Sequence, residues 1–566
     1  MNILYFLSFS DVLSKIGSII VDVLVFVLIL GLIVGIHEAG HMFFAKRGKI
    51  LCREYAIGMG PRICGKKIGE TEFNLRAIPI GGFCAIAGEE VEEDPFKKLK
   101  QVKLEIKDGK IVGFYLDVEE KEDSKFYRDF PIYNIVSYDI YDEAQTGNLF
   151  MEVEKDGETI TYPVDPQAMM YQKRIKMQIA PYNRTLGSKS KRRRALVMFG
   201  GPLMNFVLSL LAFLVVGLCS GFPNYKSAEV GEVAEEMSVG AVLDKSDVIT
   251  KMATATLGEK EITSWTDLQD FMTKYDEENL AEAITIYYKR NNVESSGEVV
   301  PFIAINNAGF GSDFDYLTEG VRVKAYQEIK DLGNNQELHL DDEIIAIWVK
   351  DGEKINNPTW STLREIFGSF EGDNKDEEYN YVYMTVKRDV DGEQKEVDIK
   401  VKPYSAYLMK NQTSINGSAV ATTTATMGIS PTTKFSLIKS VGYSFTRTWG
   451  SFTSVISTFK LLFKGSVSIK NLSGPIGIFS ITSQARQNGV LYLISLMGLL
   501  SVNIGVLNLL PIPALDGGRL VFVAYEAITK KKPNQKVETI MITVTMILLL
   551  GLMVFVAFED IMRLIG

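Results

Sequence analysis

The chain has 566 residues, 46% of them hydrophobic and 23% charged, with a formal net charge of −9. That length predicts several domains, and a mean hydropathy of +0.07 is too mixed for an all-membrane protein, so membrane segments joined to soluble domains are expected. The negative balance argues against general nucleic-acid affinity, and no nucleic-acid partner is expected.

The first element is an apolar run from Ile19 to Ile36, with Asp22 as its only charge and a continuation to about Ala45. It is long enough to span a bilayer. A cleavable signal peptide is not expected, because the run is full length and carries a chemical motif at its inner end. That motif is His37-Glu38-Ala39-Gly40-His41. HExxH on a helix puts two imidazoles on one face, one turn apart, where both can bind a single Zn²⁺. The glutamate between them is then placed as a general base for a water. Ionisable groups at membrane depth are costly and mark functional sites. The only other histidine, His339, lies in a polar stretch and reads as a surface residue.

Residues 51–193 read as a region with membrane-associated β-strands and a β-rich insertion. Within 91–186, Val102-Lys103-Leu104-Glu105-Ile106 alternates, as does Phe150-Met151-Glu152-Val153-Glu154 before Asp156-Gly157. No function is assigned to this insertion. A second span, Ala195 to Leu218, begins after Lys189-Ser190-Lys191-Arg192-Arg193-Arg194. Segment 222–403 then contains a repeat: Asp247, Ile249, Trp265 and Leu268 reappear 95 positions later as Asp342, Ile344, Trp360 and Leu363. Each copy reads as an Asp turn, a strand, Trp-x-x-Leu opening a helix, and a strand ending in Lys289-Arg290 or Lys387-Arg388. Residues 404–489 are expected as a linker with an interfacial helix near 434–464, or a helix packed on the repeat.

The third span, Val490 to Leu510, ends in Asn508-Leu509-Leu510-Pro511-Ile512-Pro513-Ala514-Leu515-Asp516-Gly517-Gly518, and the fourth runs from Ile540 to Phe558. Short basic flanks face the cytoplasm. Lys46-Arg47, the Lys/Arg cluster before the second span and Lys530-Lys531-Lys532 fall on one side if the chain crosses four times. Both termini and 222–489 are then outside, with HExxH near the cytoplasmic boundary.

A catalytic zinc usually has three protein ligands and one open position. Glu54, Glu70 and Glu72 are candidates for the third, but they follow the end of the first span. Asp516 is the better candidate, because the third span ends at the depth of His37 and His41 and the prolines break its helix. A turn Asp before Gly-Gly is the common alternative use of such a residue.

HEAGH in the first span, NLLPIPALDGG ending the third and Gly200-Gly201-Pro202-Leu203-Met204-Asn205 entering the second together resemble the site-2 protease family of intramembrane zinc metalloproteases, most nearly its bacterial regulator of sigma-E branch. Leu472-Ser473-Gly474-Pro475-Ile476-Gly477-Ile478 and Ile78-Pro79-Ile80-Gly81-Gly82-Phe83 also match. The resemblance implies a membrane α-helical core of four spans, two PDZ-like α+β domains at 222–308 and 309–403, and a membrane-associated β-hairpin. It implies that His37, His41 and Asp516 bind Zn²⁺, that Glu38 is the base, and that Asn508, Pro511 and Pro513 help hold the substrate backbone. It further implies a multi-pass protein of the bacterial inner or plasma membrane, with single-span substrates of the anti-sigma factor type, or signal-peptide remnants, cut in regulated proteolysis. The PDZ-like domains would bind peptide or act as a sieve.

Two other functions remain at this point. A membrane-anchored PDZ scaffold without catalysis needs none of His37, Glu38, His41 or Asp516, and all four are present. A metal transporter has no use for Glu38 as a base or for outside domains. The cysteines, Cys52, Cys64, Cys84 and Cys219, fit neither a disulfide framework nor a zinc knuckle and read as reduced structural thiols.

Overall fold

The computed structural model describes residues 9–565, apart from 90–93, 119–128, 143–144, 156, 173–174, 314, 327–336, 373, 375, 391, 405–408, 410–420 and 464–473. Asp156, Leu472 and Ser473, used in the patterns above, lie outside the described residues. The chain divides into two compact units, residues 1–220 with 436–566, and residues 221–435.

The first unit opens with α1 (Phe9–Arg47), followed by β1 (Cys52–Ile68) and β2 (Thr71–Ile86). These two strands form a hairpin that doubles over. Residues 54–57 pair on one side with 72–75 and on the other with 82–85. The bend needs a left-handed backbone at Gly58 (φ 84°), where a Cβ would meet the Ile78 carbonyl at 2.6 Å. The folded hairpin lies against α1, and the Tyr55 hydroxyl donates to the Gly35 carbonyl at 2.6 Å.

The β-rich insertion comprises β3 (Gln101–Lys107), β4 (Lys110–Tyr115), β5 (Ile132–Asp139), β6 (Phe150–Lys155), β7 (Glu158–Gln172) and β8 (Ile175–Gln178). Strand order is β4-β3-β5-β6-β7-β8, and β4 also pairs with β7 in parallel. The sheet therefore closes on itself through β4 and β7, which gives β4 a second partner and leaves β8, paired only with β7, at its edge. Its alternating inward residues, among them Val102, Leu104, Met151 and Val153, bury one core. α2 (Lys191–Ser220) follows.

The second unit contains β9 (Phe222–Pro223), β10 (Val230–Val233), β11 (Val248–Thr254), β12 (Gly258–Glu261), α3 (Trp265–Glu277), β13 (Ile284–Arg290) and β14 (Val293–Val299). It continues through β15 (Phe302–Ile305), β16 (Phe310–Gly311), β17 (Ala325–Tyr326), β18 (Glu343–Val349), β19 (Ile355–Asn356), α4 (Trp360–Gly368), β20 (Val382–Val390) and β21 (Glu393–Val401). The repeat is structural: sheets β12-β11-β13-β14 and β19-β18-β20-β21 have the same order. Each copy opens its helix with a capping box, Ser264–Asp267 or Thr359–Thr362, just before the buried tryptophan. Each buries an aspartate that an arginine clamps: Arg290 to Asp247 at 2.7 Å, Arg388 to Asp342 at 2.6 Å.

The copies are not laid end to end. Within 404–489, expected as linker, lie β22 (Thr423–Thr426), β23 (Ile429–Pro431) and β24 (Thr433–Lys434). β22 pairs with β15, β23 with β10, and β24 with β9. The chain thus returns to its first copy after finishing the second, and residues of both copies share one hydrophobic core.

The first unit resumes with α5 (Leu437–Phe463), α6 (Pro475–Gln487), α7 (Val490–Asn508), α8 (Asp516–Thr529) and α9 (Gln535–Ile565). Among the described residues, four helical stretches have the length and composition to cross a membrane: Gly17–Arg47, Lys191–Ser220, Val490–Asn508 and Gln535–Met562. α5 packs on α2 and runs antiparallel to it. A Cβ on Gly217 would meet Ser440, the Ser209 and Thr448 hydroxyls are 3.2 Å apart, and Phe206 meets Phe452. This differs from a helix lying in the interface plane. Thr448 finds its hydroxyl partner on α2 while Ser440 and Ser444 bond carbonyls of their own helix, and α5 packs along the candidate span α2. Asp22, the lone charge of the run Ile19–Ile36, is bonded to Arg486 and Ser483 of α6.

Candidate metal centre

The helical period of α1 sets His37 and His41 on the face that meets α2. The helices cross glycine on glycine there: a Cβ on Gly40 would lie 2.1 Å from the Gly200 carbonyl oxygen. The next glycine leaves room for the imidazoles, since a Cβ on Gly201 would lie 2.3 Å from His41 Nε2 and 2.7 Å from His37 Nε2. Both histidines are buried.

α2 also orients the rings. His41 Nδ1 donates to the Val197 carbonyl at 2.8 Å. A carbonyl only accepts, so the proton is on Nδ1 and Nε2 presents its lone pair. His37 Nδ1 lies 3.2 Å from the Asn205 side-chain amide, which is fully buried. The amide oxygen of Asn205 has no hydrogen-bond partner as placed. A half-turn of the amide lets that oxygen accept from His37 Nδ1–H and frees His37 Nε2 in the same way.

The third group arrives from the far end of the chain. α7 ends at Asn508, the proline-bearing connection follows, and Asp516 opens α8. Its Oδ2 lies 3.2 Å from His37 Nε2 and 3.3 Å from His41 Nε2, and the two Nε2 atoms are 3.2 Å apart. Two nitrogen lone pairs and a carboxylate oxygen converge on one point, and Asp516 Oδ2 is buried without a hydrogen-bond partner. Such a set repels itself unless a cation lies between. Three vertices of a tetrahedral zinc site with bonds of about 2.0–2.1 Å are about 3.3 Å apart. The donor types and the spacing therefore fit Zn²⁺.

α8 is held at both ends. Arg519 donates to Glu89 at 2.6 Å near its start, and Arg194 of α2 donates to Glu526 at 2.6 Å near its end. Glu38 lies beside β2: a Cβ on Gly82 would lie 3.5 Å from its Cγ, the Cys84 backbone N–H donates to its carboxylate, and the charges of His37, His41 and Asp516 act on it.

The other candidates for third ligand are engaged elsewhere. Glu54 accepts from Arg76 at 2.6 Å and Asn74 at 2.8 Å, Glu70 is bidentate with Arg184, and Glu72 pairs with Arg62 at 3.7 Å. Asn508, the last residue of α7, is half-buried, and on the connection that leads into Asp516 Pro511 is exposed and Pro513 half-buried. Among the described residues, the Asn508 side chain has no hydrogen-bond partner. His339 is exposed, and all four cysteines are free. Sequence reasoning quoted Asn205 within a motif but assigned it no place at the site; the available signal was an amide in the middle of an apolar span.

A family model described as Peptidase family M50 matches residues 25–552. The chain is 28% identical over 539 residues to the zinc metalloprotease RasP of Shouchella clausii, covering 94% of this chain and 96% of that one. It is 29% identical over 535 residues to the zinc metalloprotease RasP of Oceanobacillus iheyensis, with the same coverages of 94% and 96%. The RasP of Bacillus licheniformis is 27% identical over 537 residues, again at 94% and 96%.

Proposed function

The chain belongs to peptidase family M50, and on that premise we propose which of its residues carry the cleavage. It is an intramembrane zinc metalloprotease of the site-2 type, in a multi-pass bacterial membrane protein. His37, His41 and Asp516 hold the zinc, and Glu38 is the general base. The observation that carries this reading is the triangle of donor atoms with sides of 3.2, 3.2 and 3.3 Å, built from residues 475 positions apart.

Zinc held by His37, His41 and Asp516 would polarise the scissile carbonyl and acidify a water. Val197 and Asn205 hold the imidazoles in the ligating tautomer. Glu38 takes the proton of the attacking water and passes it to the leaving amine. A transmembrane helix keeps its amides in intrahelical bonds, so the substrate must unwind locally. Asn508, Pro511 and Pro513 present the polar, non-helical backbone that holds the opened segment. The hairpin lies at membrane depth: exposed Met59, Ile63 and Ile78 on a fold packed against an apolar helix support this.

The substrates are single-span membrane proteins, of the anti-sigma factor type or signal-peptide remnants. The two repeat copies are PDZ-like, as their shared strand order supports. The basic flanks Lys46-Arg47, Lys191–Arg194 and Lys530–Lys532 support a site near the cytoplasmic face, with residues 221–435 on the outer side.

The test compares wild type with Glu38→Gln for zinc content and for cleavage of a model transmembrane substrate. The carboxamide cannot accept the proton, while the imidazoles remain. Zinc is expected to stay and cleavage to fall at least about 100-fold. A variant that cleaves near the wild-type rate removes Glu38 from the mechanism.

A further inference from the structure

The ends of α1 and α2 nearest the zinc ligands border a second polar feature that peptide hydrolysis does not use. A cleft of about 790 Å³ is lined by Lys46, Lys49, Lys189, Arg184 and Asn183, with Ile68 on its rim. Its charge does not cancel. The one acid in the lining, Glu70, is taken by Arg184 through two bonds of 2.6 Å. Among the described residues no carboxylate pairs with Lys46, Lys49 or Lys189. Burial and the nearby charges of Arg193, Arg184 and Lys49 push the Lys189 ammonium down from its ordinary value. That is what uncompensated cations do to one another.

The height of the cleft is informative. Lys46 is in the last turn of the candidate membrane-crossing stretch Gly17–Arg47, and Lys189 lies two residues before the stretch Lys191–Ser220. The cations therefore stand where the apolar segments end, at the level of lipid phosphates. Ile68 is 58% exposed beside them and offers an apolar rim to a glycerol backbone. A basic pocket with an apolar edge at this depth has the character of a headgroup site.

We propose that this cleft binds the phosphate of an anionic phospholipid headgroup, through the ammonium groups of Lys46, Lys49 and Lys189. The Lys189 ammonium is held at the cleft by the Asn183 backbone carbonyl, to which it donates. The proposal rests on the membrane setting of α1 and α2 and is independent of the peptidase chemistry.

The full chain in mixed micelles of phosphatidylglycerol and phosphatidylcholine tests it, with native mass spectrometry counting the retained lipid. Wild type is expected to retain phosphatidylglycerol over phosphatidylcholine. The triple variant Lys46→Gln, Lys49→Asn, Lys189→Gln should lose that preference, by roughly fivefold for each lysine removed. Asn suits the left-handed backbone at Lys49 (φ 57°). Arginine at all three positions keeps the charge and should keep the preference. Unchanged zinc content and melting temperature show that the variants are folded; if the triple variant is not, Lys49→Asn alone decides. Equal retention by wild type and the uncharged variant overturns the proposal. So does loss of the lipid to inorganic phosphate, which assigns the cleft to free phosphate instead.

Discussion

At the scale of single residues, the metal centre is a problem of lone pairs. His37, His41 and Asp516 face one another at 3.2–3.3 Å, so each is stabilised by what the other two bind rather than by the others themselves. In the proposed ligand set, Asp516→Ala removes one of three ligands and is expected to weaken zinc retention against a chelator as well as cleavage. Full retention at high chelator would mean a ligand elsewhere. Asn205 acts one bond further out. Asn205→Leu removes the group that orients His37 and should weaken zinc affinity about 10–100-fold. Asn205→Asp keeps an acceptor and should restore most of it. Chelator competition measures both, without reference to turnover, and equal affinity for Leu and Asp would reduce Asn205 to a packing role.

At the scale of elements, the repeat shows how two copies of one pattern are made to fold. Each needs a buried aspartate at the strand entry, and each supplies an arginine from its own third strand to neutralise it. Asp342 is fully buried. Arg388→Met therefore leaves a buried charge without its partner and should destabilise the 221–435 unit by about 3–5 kcal/mol. Denaturant unfolding of the full chain, followed through the Trp360 region, measures this. The double variant Arg388→Met, Asp342→Leu should recover much of the loss, and failure to recover would mean that the arginine acts through packing instead. Elsewhere the same logic holds α8 in place, where Arg519–Glu89 and Arg194–Glu526 clamp the helix that opens with Asp516.

At the scale of the whole molecule, the residues proposed for catalysis lie in one unit and the repeats in the other. Excision of 222–403 alone would leave β22, β23 and β24 without partners, because they pair with β15, β10 and β9. Residues 221–435 are the removable piece, and the β9–β24 pairing brings its ends together for a short linker. The excised protein is expected to keep hydrolysis and to cut an untrimmed substrate that the full chain refuses. Cleavage assays on long and trimmed substrates compare the two. An unchanged preference for trimmed substrate would discard the sieve, and loss of all cleavage would point to peptide capture.

What the chain determines by itself is local and periodic. Hydropathy over a bilayer's length marks the four spans, the four-residue spacing of His37 and His41 puts both on one helical face, and the 95-residue recurrence announces two copies of one sheet. These features depend on neighbours within a turn or a strand, so they are legible without a fold. The remainder depended on packing between distant segments. Asp516 rather than Glu54, Glu70 or Glu72 completes the donor set because those glutamates find arginines or an amide first. Asn205 gains its role only when α2 crosses α1, at a contact that Gly40 and Gly200 make close enough. The closure of β4 on β7, the return of β22 and β23 to the first repeat, and the descent of α5 along α2 are likewise choices of partner. Each pairs a strand edge or helix face that is locally compatible with many others, and only burial in the finished molecule selects one.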